Sequence, residues 1–187
     1  MGNTVPIQRL IFLDIDGVLN NADSDTTEKY VIEEDLIERL KKIVDSVPGC
    51  AIVLSSTWRY KLFSREKVKE IFASHKIPLY ISCTPYGSNR VDEIGCWLGT
   101  NTDFPVSESC KDSMLNYFSE EFTVKEYILE KRLKGLENFI VIDDTNLVRE
   151  RREFTPILSE RFVHVNQITG LSEEDVVKSI HLLRMIW

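Results

Sequence analysis

Along the chain, short apolar runs alternate with longer stretches in which apolar residues recur at helical spacing. The runs are residues 9–13, 51–54, 78–83, 139–142 and, more weakly, 161–165. They are rich in Ile, Val, Leu and Phe and do not alternate strictly with polar residues. A strand with one wetted face alternates, whereas a strand covered on both faces of a parallel sheet does not. The runs therefore predict strands of a mostly parallel central sheet.

Between them, residues 33–47 carry Leu36, Ile37, Leu40, Ile43, Val44 and Val47, one stripe on a helix that Pro48-Gly49 stops. Residues 65–74, 91–98 and 124–136 repeat the helical pattern. Ser172-x-x-Asp175 reads as a capping box, with Leu171 and Val176 placed as a hydrophobic staple, and opens a last helix through Ile180, Leu183 and Ile186. Strand and helix in alternation predict an α/β domain of Rossmann-like form spanning residues 1–187. Residues 99–123 are long for a connection. They predict a helical insertion or small lid over about 99–134, with no large cap domain.

Composition narrows the function classes. The chain has 187 residues, 43% apolar and 28% charged, which is ordinary for a globular protein. A net charge of −7 weighs against broad binding to nucleic acid or anionic membranes. No apolar run is long enough to span a bilayer and no secretory leader opens the chain. Four cysteines without a C-x-x-C pair and three scattered histidines give no zinc or disulfide pattern. The expectation is a cytoplasmic protein with free thiols.

In an open parallel sheet, ligands bind beyond the carboxyl ends of the strands. Those ends carry Asp14 and Asp16, then Ser55, Ser56 and Thr57, then Asp143 and Asp144. Asp14-x-Asp16 places two carboxylates on the same side of an extended segment, and Gly17 permits a sharp turn. An ordinary acidic turn would look the same; a calcium loop would carry its Gly later. One of the three hydroxyls is accounted for by a helix cap, and one aspartate after residue 142 by another. The rest is a costly gathering of like charge unless a cation intervenes, and an all-oxygen set suits Mg²⁺. A phosphoryl group needs further positive charge. Arg90 and Lys125 each open a helix and are the candidates, while Trp58 and Arg59 either lean over the pocket or pack away from it.

The combination Asp14-x-Asp16-Gly17-Val18-Leu19, residues 52–56, a basic residue opening a helix, and Ile142-Asp143-Asp144 resembles the four motifs of the haloacid dehalogenase (HAD) superfamily, in its order. Arg90-Val-Asp-Glu-Ile-Gly-Cys-Trp-Leu and Thr169-Gly170-Leu171-Ser172 resemble a small HAD subgroup found in or near RNA-repair proteins. The resemblance implies a Mg²⁺-dependent phosphohydrolase. In it Asp14 is the nucleophile and Asp16 the acid and base. Asp14, the Asp16 carbonyl, Asp143 and Asp144 serve the metal. Ser56, with Ser55 as the alternative, donates to the phosphoryl group, and Arg90 stabilises it. Ser55, Thr57, Arg59 and Lys125 are further candidates for substrate binding.

The expected substrate is a small phosphate monoester or nucleotide. A nucleic-acid end phosphatase and a catalytically silent binding module are the alternatives. The shared metal carries one geometric condition: Asp143 must stand within about 6 Å of Asp14 for both to hold an ion with Mg²⁺–oxygen bonds near 2.1 Å.

Overall fold

The computed structural model describes residues 6–21, 31–106, 124–149 and 154–186. Five parallel strands form one sheet in the order β3-β2-β1-β4-β5. They are β1 (Arg9–Leu13), β2 (Cys50–Leu54), β3 (Ser82–Cys83), β4 (Asn138–Asp143) and β5 (Phe162–His164). The six helices among the described residues are α1 (Glu34–Ser46), α2 (Leu62–Ser74), α3 (Arg90–Asn101), α4 (Val124–Tyr127), α5 (Thr155–Ser159) and α6 (Glu173–Arg184). This is an α/β fold of Rossmann-like form.

The central strands are sealed: Leu10 to Leu13 and Phe139 to Ile142 are fully buried. Register pairs Leu10 with Phe139 and Phe12 with Val141, so these four side chains share a face. There Phe12 meets Trp97 of α3 and Phe139 edge-on, with ring centroids 5.4 and 5.8 Å apart. Each such buried side chain stabilises the fold by roughly 1.5–3 kcal/mol. Truncating Phe12 to alanine would cost about 3–5 kcal/mol.

The predicted cap of the last helix forms. Ser172 Oγ accepts from Asp175 N–H at 3.1 Å, and Asp175 Oδ2 accepts from Ser172 N–H at 2.9 Å. Leu171 and Val176 are both buried in the core.

Two elements differ from expectation. The run 78–83 contributes only Ser82–Cys83 as strand. Pro78 has no N–H to pair, and this edge strand has a neighbour on one side only. The helix expected over 124–136 stops at Tyr127. Asn101 takes the backbone groups that would continue it: its Nδ2 donates to Tyr127 O at 2.9 Å, and its Oδ1 accepts from Leu129 N–H at 2.7 Å. Thr102 then bridges Leu133 in parallel. These flanks of the insertion therefore fasten to the last turn of α3. The centre of the expected lid, residues 107–123, lies outside the described residues, as does Cys110.

Candidate active site

Three neighbouring strands end together. Leu13 is in register with both Leu54 and Ile142. One residue further, Ser55 N–H donates to Leu13 O at 2.9 Å and Asp14 N–H to Ile142 O at 3.0 Å. Ser55, Asp14 and Asp143 thus stand side by side across the sheet, with side chains on one side of it. Arg90 reaches over all three. Its Nη1 lies 2.9 Å from Asp143 Oδ2, 3.3 Å from Asp14 Oδ2 and 3.5 Å from Ser55 Oγ. Arg90 opens α3, which Asn89 caps by accepting from Asp92 N–H at 2.9 Å.

Asp14, Asp143 and Asp144 bring carboxylate oxygens within 4.8 Å of one another, inside the limit for a shared ion. Asp143 is fully buried and Asp14 is 5% exposed. Backbone N–H groups fix their other oxygens: Ile15 on Asp14 Oδ1 and Thr145 on Asp143 Oδ1, both at 2.8 Å. Burial, with the charge of Asp14 added, pushes Asp143 up to about 7 against the pull of Arg90. Burial followed by Asp14 likewise raises Asp144. One arginine does not neutralise three acids. The donor set is all oxygen, with no thiolate or imidazole, and it fits a hard divalent ion such as Mg²⁺.

Gly17 makes room for this cluster. Its φ is +71°, and a Cβ there would fall 2.5 Å from Asp144 Oδ2. The turn also needs Asn20, whose Oδ1 accepts from Gly17 N–H at 2.8 Å.

The carboxylate of Asp16 is exposed and is not one of the three clustered acids. Its Oδ1 accepts from Trp58 Nε1–H at 2.9 Å and from Asn20 Nδ2 at 3.1 Å, and Thr57 Oγ1 lies 3.5 Å from its Oδ2. Trp58 reaches it because Ser56 starts a 3₁₀ turn over Thr57–Tyr60, with Ser56 Oγ accepting from Trp58 N–H at 3.3 Å.

The remaining expectations divide. Both serines are fully buried; Ser55 faces Arg90, while Ser56 caps the turn. Thr57 touches Asp16. Arg59 is corrected. It is fully buried, and its guanidinium is spent on Thr84 O, Ser55 O, Ser56 O, Pro85 O, Tyr60 and Glu93, so it presents no donor to a substrate. Lys125 is not among the residues gathered at the acids. It is exposed on a single helical turn docked through Glu126 O on Ser82 of the edge strand, and it makes no ion pair with the acids. Among the described residues, Arg90 is the cation paired with the cluster.

Sequence reasoning missed Glu93 and the part that Asn20 plays in the turn. Asn20 follows the Asp-x-Asp-Gly turn at a spacing from which its side chain can reach back to that turn. Glu93 Oε2 lies 2.7 Å from Arg59 Nη2 and 3.7 Å from Arg90 Nε, and its Oε1 accepts from Gly87 N–H at 3.0 Å. Burial raises Glu93, and both arginines pull it back. Its one sequence signal is the i, i+3 spacing from Arg90.

Comparison with curated proteins finds no match, nor does comparison with solved structures. A family described as the HAD domain in Swiss Army Knife RNA repair proteins matches residues 10–176. Apart from Arg9 at the start of β1, that span holds every strand among the described residues and every acid of the site, and the parallel sheet with the acidic cluster at its carboxyl edge agrees with it. The chain belongs to this HAD family.

Proposed function

We propose that this chain is a Mg²⁺-dependent phosphatase that hydrolyses a phosphate monoester through an aspartyl-phosphate on Asp14. The observation that carries the reading is the row Ser55–Asp14–Asp143 beneath Arg90, with Asp16 held separately by Trp58. Asp14, the Asp16 carbonyl, Asp143 and Asp144 would hold Mg²⁺. The bound ion supplies charge neutralisation on the phosphoryl oxygens.

The chain's own groups do the rest. Arg90 and Ser55 donate to the phosphoryl oxygens and so let one anion approach another. Asp14 attacks phosphorus, and its P–O bond forms as the ester P–O bond breaks. Asp16 gives its proton to the departing oxygen. Oδ1 is occupied by two N–H donors, which leaves Oδ2, beside Thr57, for the proton transfer. Asp16 then takes a proton from the water that attacks phosphorus, and Asp14 is released. Positioned acid–base help of this kind is worth about 10²–10⁴-fold.

The family's description supports a phosphorylated nucleotide or nucleic-acid end as substrate class. The net charge of −7 favours a short or small substrate over a long polyanion. A Mg²⁺ assay over nucleotides, sugar phosphates, phosphopeptides and end-phosphorylated oligonucleotides, with Asp14→Asn as control, tests the reading. Turnover in the wild type alone supports it; equal inertness of both proteins across the panel overturns it. A steep loss of oligonucleotide turnover with added salt would assign a polynucleotide end.

A further inference from the structure

Arg59 joins three segments that meet at the carboxyl edge of the sheet. Its Nη1 donates to Ser55 O and Ser56 O, each at 2.7 Å, at the end of β2. Its Nε donates to Thr84 O at 2.9 Å and its Nη2 to Pro85 O at 3.2 Å, just after β3. The same Nη2 pairs with Glu93 Oε2 at 2.7 Å, in the first turn of α3. Both side chains are almost completely buried.

Such a pair is an inefficient source of stability, because desolvating two charges offsets much of their attraction. Its value lies in what it connects. Glu93 Oε2 also forms an ion pair with Arg90 Nε at 3.7 Å, a different nitrogen from the Nη1 that meets the acids. Glu93 therefore holds one side of Arg90 while Nη1 is presented to Asp14, Asp143 and Ser55. Through Arg59, that carboxylate is tied to the backbone of Ser55 and Ser56.

We propose that the Arg59–Glu93 pair is a positioning device that sets Arg90 and the Ser55–Ser56 turn at a common distance from the phosphoryl position, an inference that rests on the phosphatase reading. It makes the anion-binding half of the site one unit, which meets the carboxylates that would hold the metal through Arg90 Nη1. Neither residue is a catalytic residue, since neither touches the reacting atoms.

Separation of those two halves is the test. Glu93→Gln keeps the side-chain volume and an acceptor for Gly87 while removing the charge; Arg59→Lys keeps the charge and loses the fork. For each full-length variant, thermal unfolding, calorimetric binding of Mg²⁺ alone, calorimetric binding of inorganic phosphate with Mg²⁺, and kcat and KM are measured. Phosphate affinity and kcat/KM are expected to fall about 10- to 100-fold, while Mg²⁺ affinity stays within about two-fold.

A cooperatively folded variant with wild-type phosphate affinity overturns the proposal. So does a parallel fall in Mg²⁺ and phosphate affinity, the mark of general loosening. If Arg59→Lys does not fold, Glu93→Gln decides; if neither folds, the pair serves stability and the proposal fails. Wild-type protein that binds Mg²⁺ and phosphate but turns over no ester sinks the phosphatase reading alone, and the binding comparison still judges the pair.

Discussion

The indole N–H of Trp58 donates to Asp16 Oδ1 at 2.9 Å, across the gap between the turn after β2 and the turn after β1. Trp58 is 3% exposed, so the donor is set by packing and the exposed carboxylate is oriented from beneath. A hydrogen bond to a charged group is worth about 1.5–3 kcal/mol. Trp58→Phe keeps most of the packing and removes the donor. It should lower kcat by roughly 10-fold or more and leave Mg²⁺ half-saturation unchanged. Steady-state kinetics against a wild-type control checks this, and an unchanged kcat rejects the role given to Trp58.

Gly17 and Gly135 make a matched pair of glycines. Their φ angles are +71° and +70°, but a Cβ at Gly17 meets Asp144 Oδ2 at 2.5 Å and one at Gly135 meets nothing within 4 Å. Alanine at either position carries the left-handed penalty of about 1–2 kcal/mol. Gly17→Ala alone should also displace Asp144 and weaken Mg²⁺ binding by about 10-fold or more. Urea unfolding and calorimetry on the two variants separate the effects. Equal loss of metal affinity in both would contradict the close-approach argument.

Mg²⁺ should stabilise the fold, because the buried acids repel one another without it. At a hundred times the dissociation constant the gain is about 2.7 kcal/mol. For a chain of this size that raises Tm by about 5–10 °C. Asp143→Asn should abolish most of the shift. A wild-type melt indifferent to millimolar Mg²⁺ would refute the metal assignment.

His75 closes α2 against the start of α1. Its Nδ1 lies 2.8 Å from Ile71 O and its Nε2 lies 3.0 Å from Glu34 Oε1. The backbone bond to Ile71, then the bond to Glu34, raises His75 above its ordinary value. A group raised in the folded state adds stability that is complete below its unfolded value, near 6.5, and is lost as pH rises through the folded value. Glu34→Gln should therefore lower the His75 midpoint and flatten the fall in stability above that pH. NMR titration of the His75 ring gives the midpoint; no movement on substitution would discard the contact.

Much of the fold was legible because its signals are local. Leu10 to Leu13 and Phe139 to Ile142 are continuously apolar since both faces of a central strand are covered. Ser172 and Asp175 cap each other across three residues, so their box needs no distant partner to be read. The helix expected past Tyr127 was lost to Asn101, 26 residues away from it, which no propensity records.

Placement of acids at strand ends follows from the chain's own alternation of runs and helices, and that alone put Asp14, Ser55 and Asp143 at one edge of a parallel sheet. Which neighbour faces the site depends on register, because a one-residue step along a strand reverses the side chain; Ser55 therefore sits under Arg90 while Ser56 turns to cap. The strand order brings β2 beside β3, and with it Arg59 against Glu93, 34 residues apart in sequence. Short-range pattern determined the elements and their chemistry. Lateral packing of the strands decided which charges became partners, since Coulombic attraction and hydrogen bonding act over a few ångströms of space, whatever the separation along the chain.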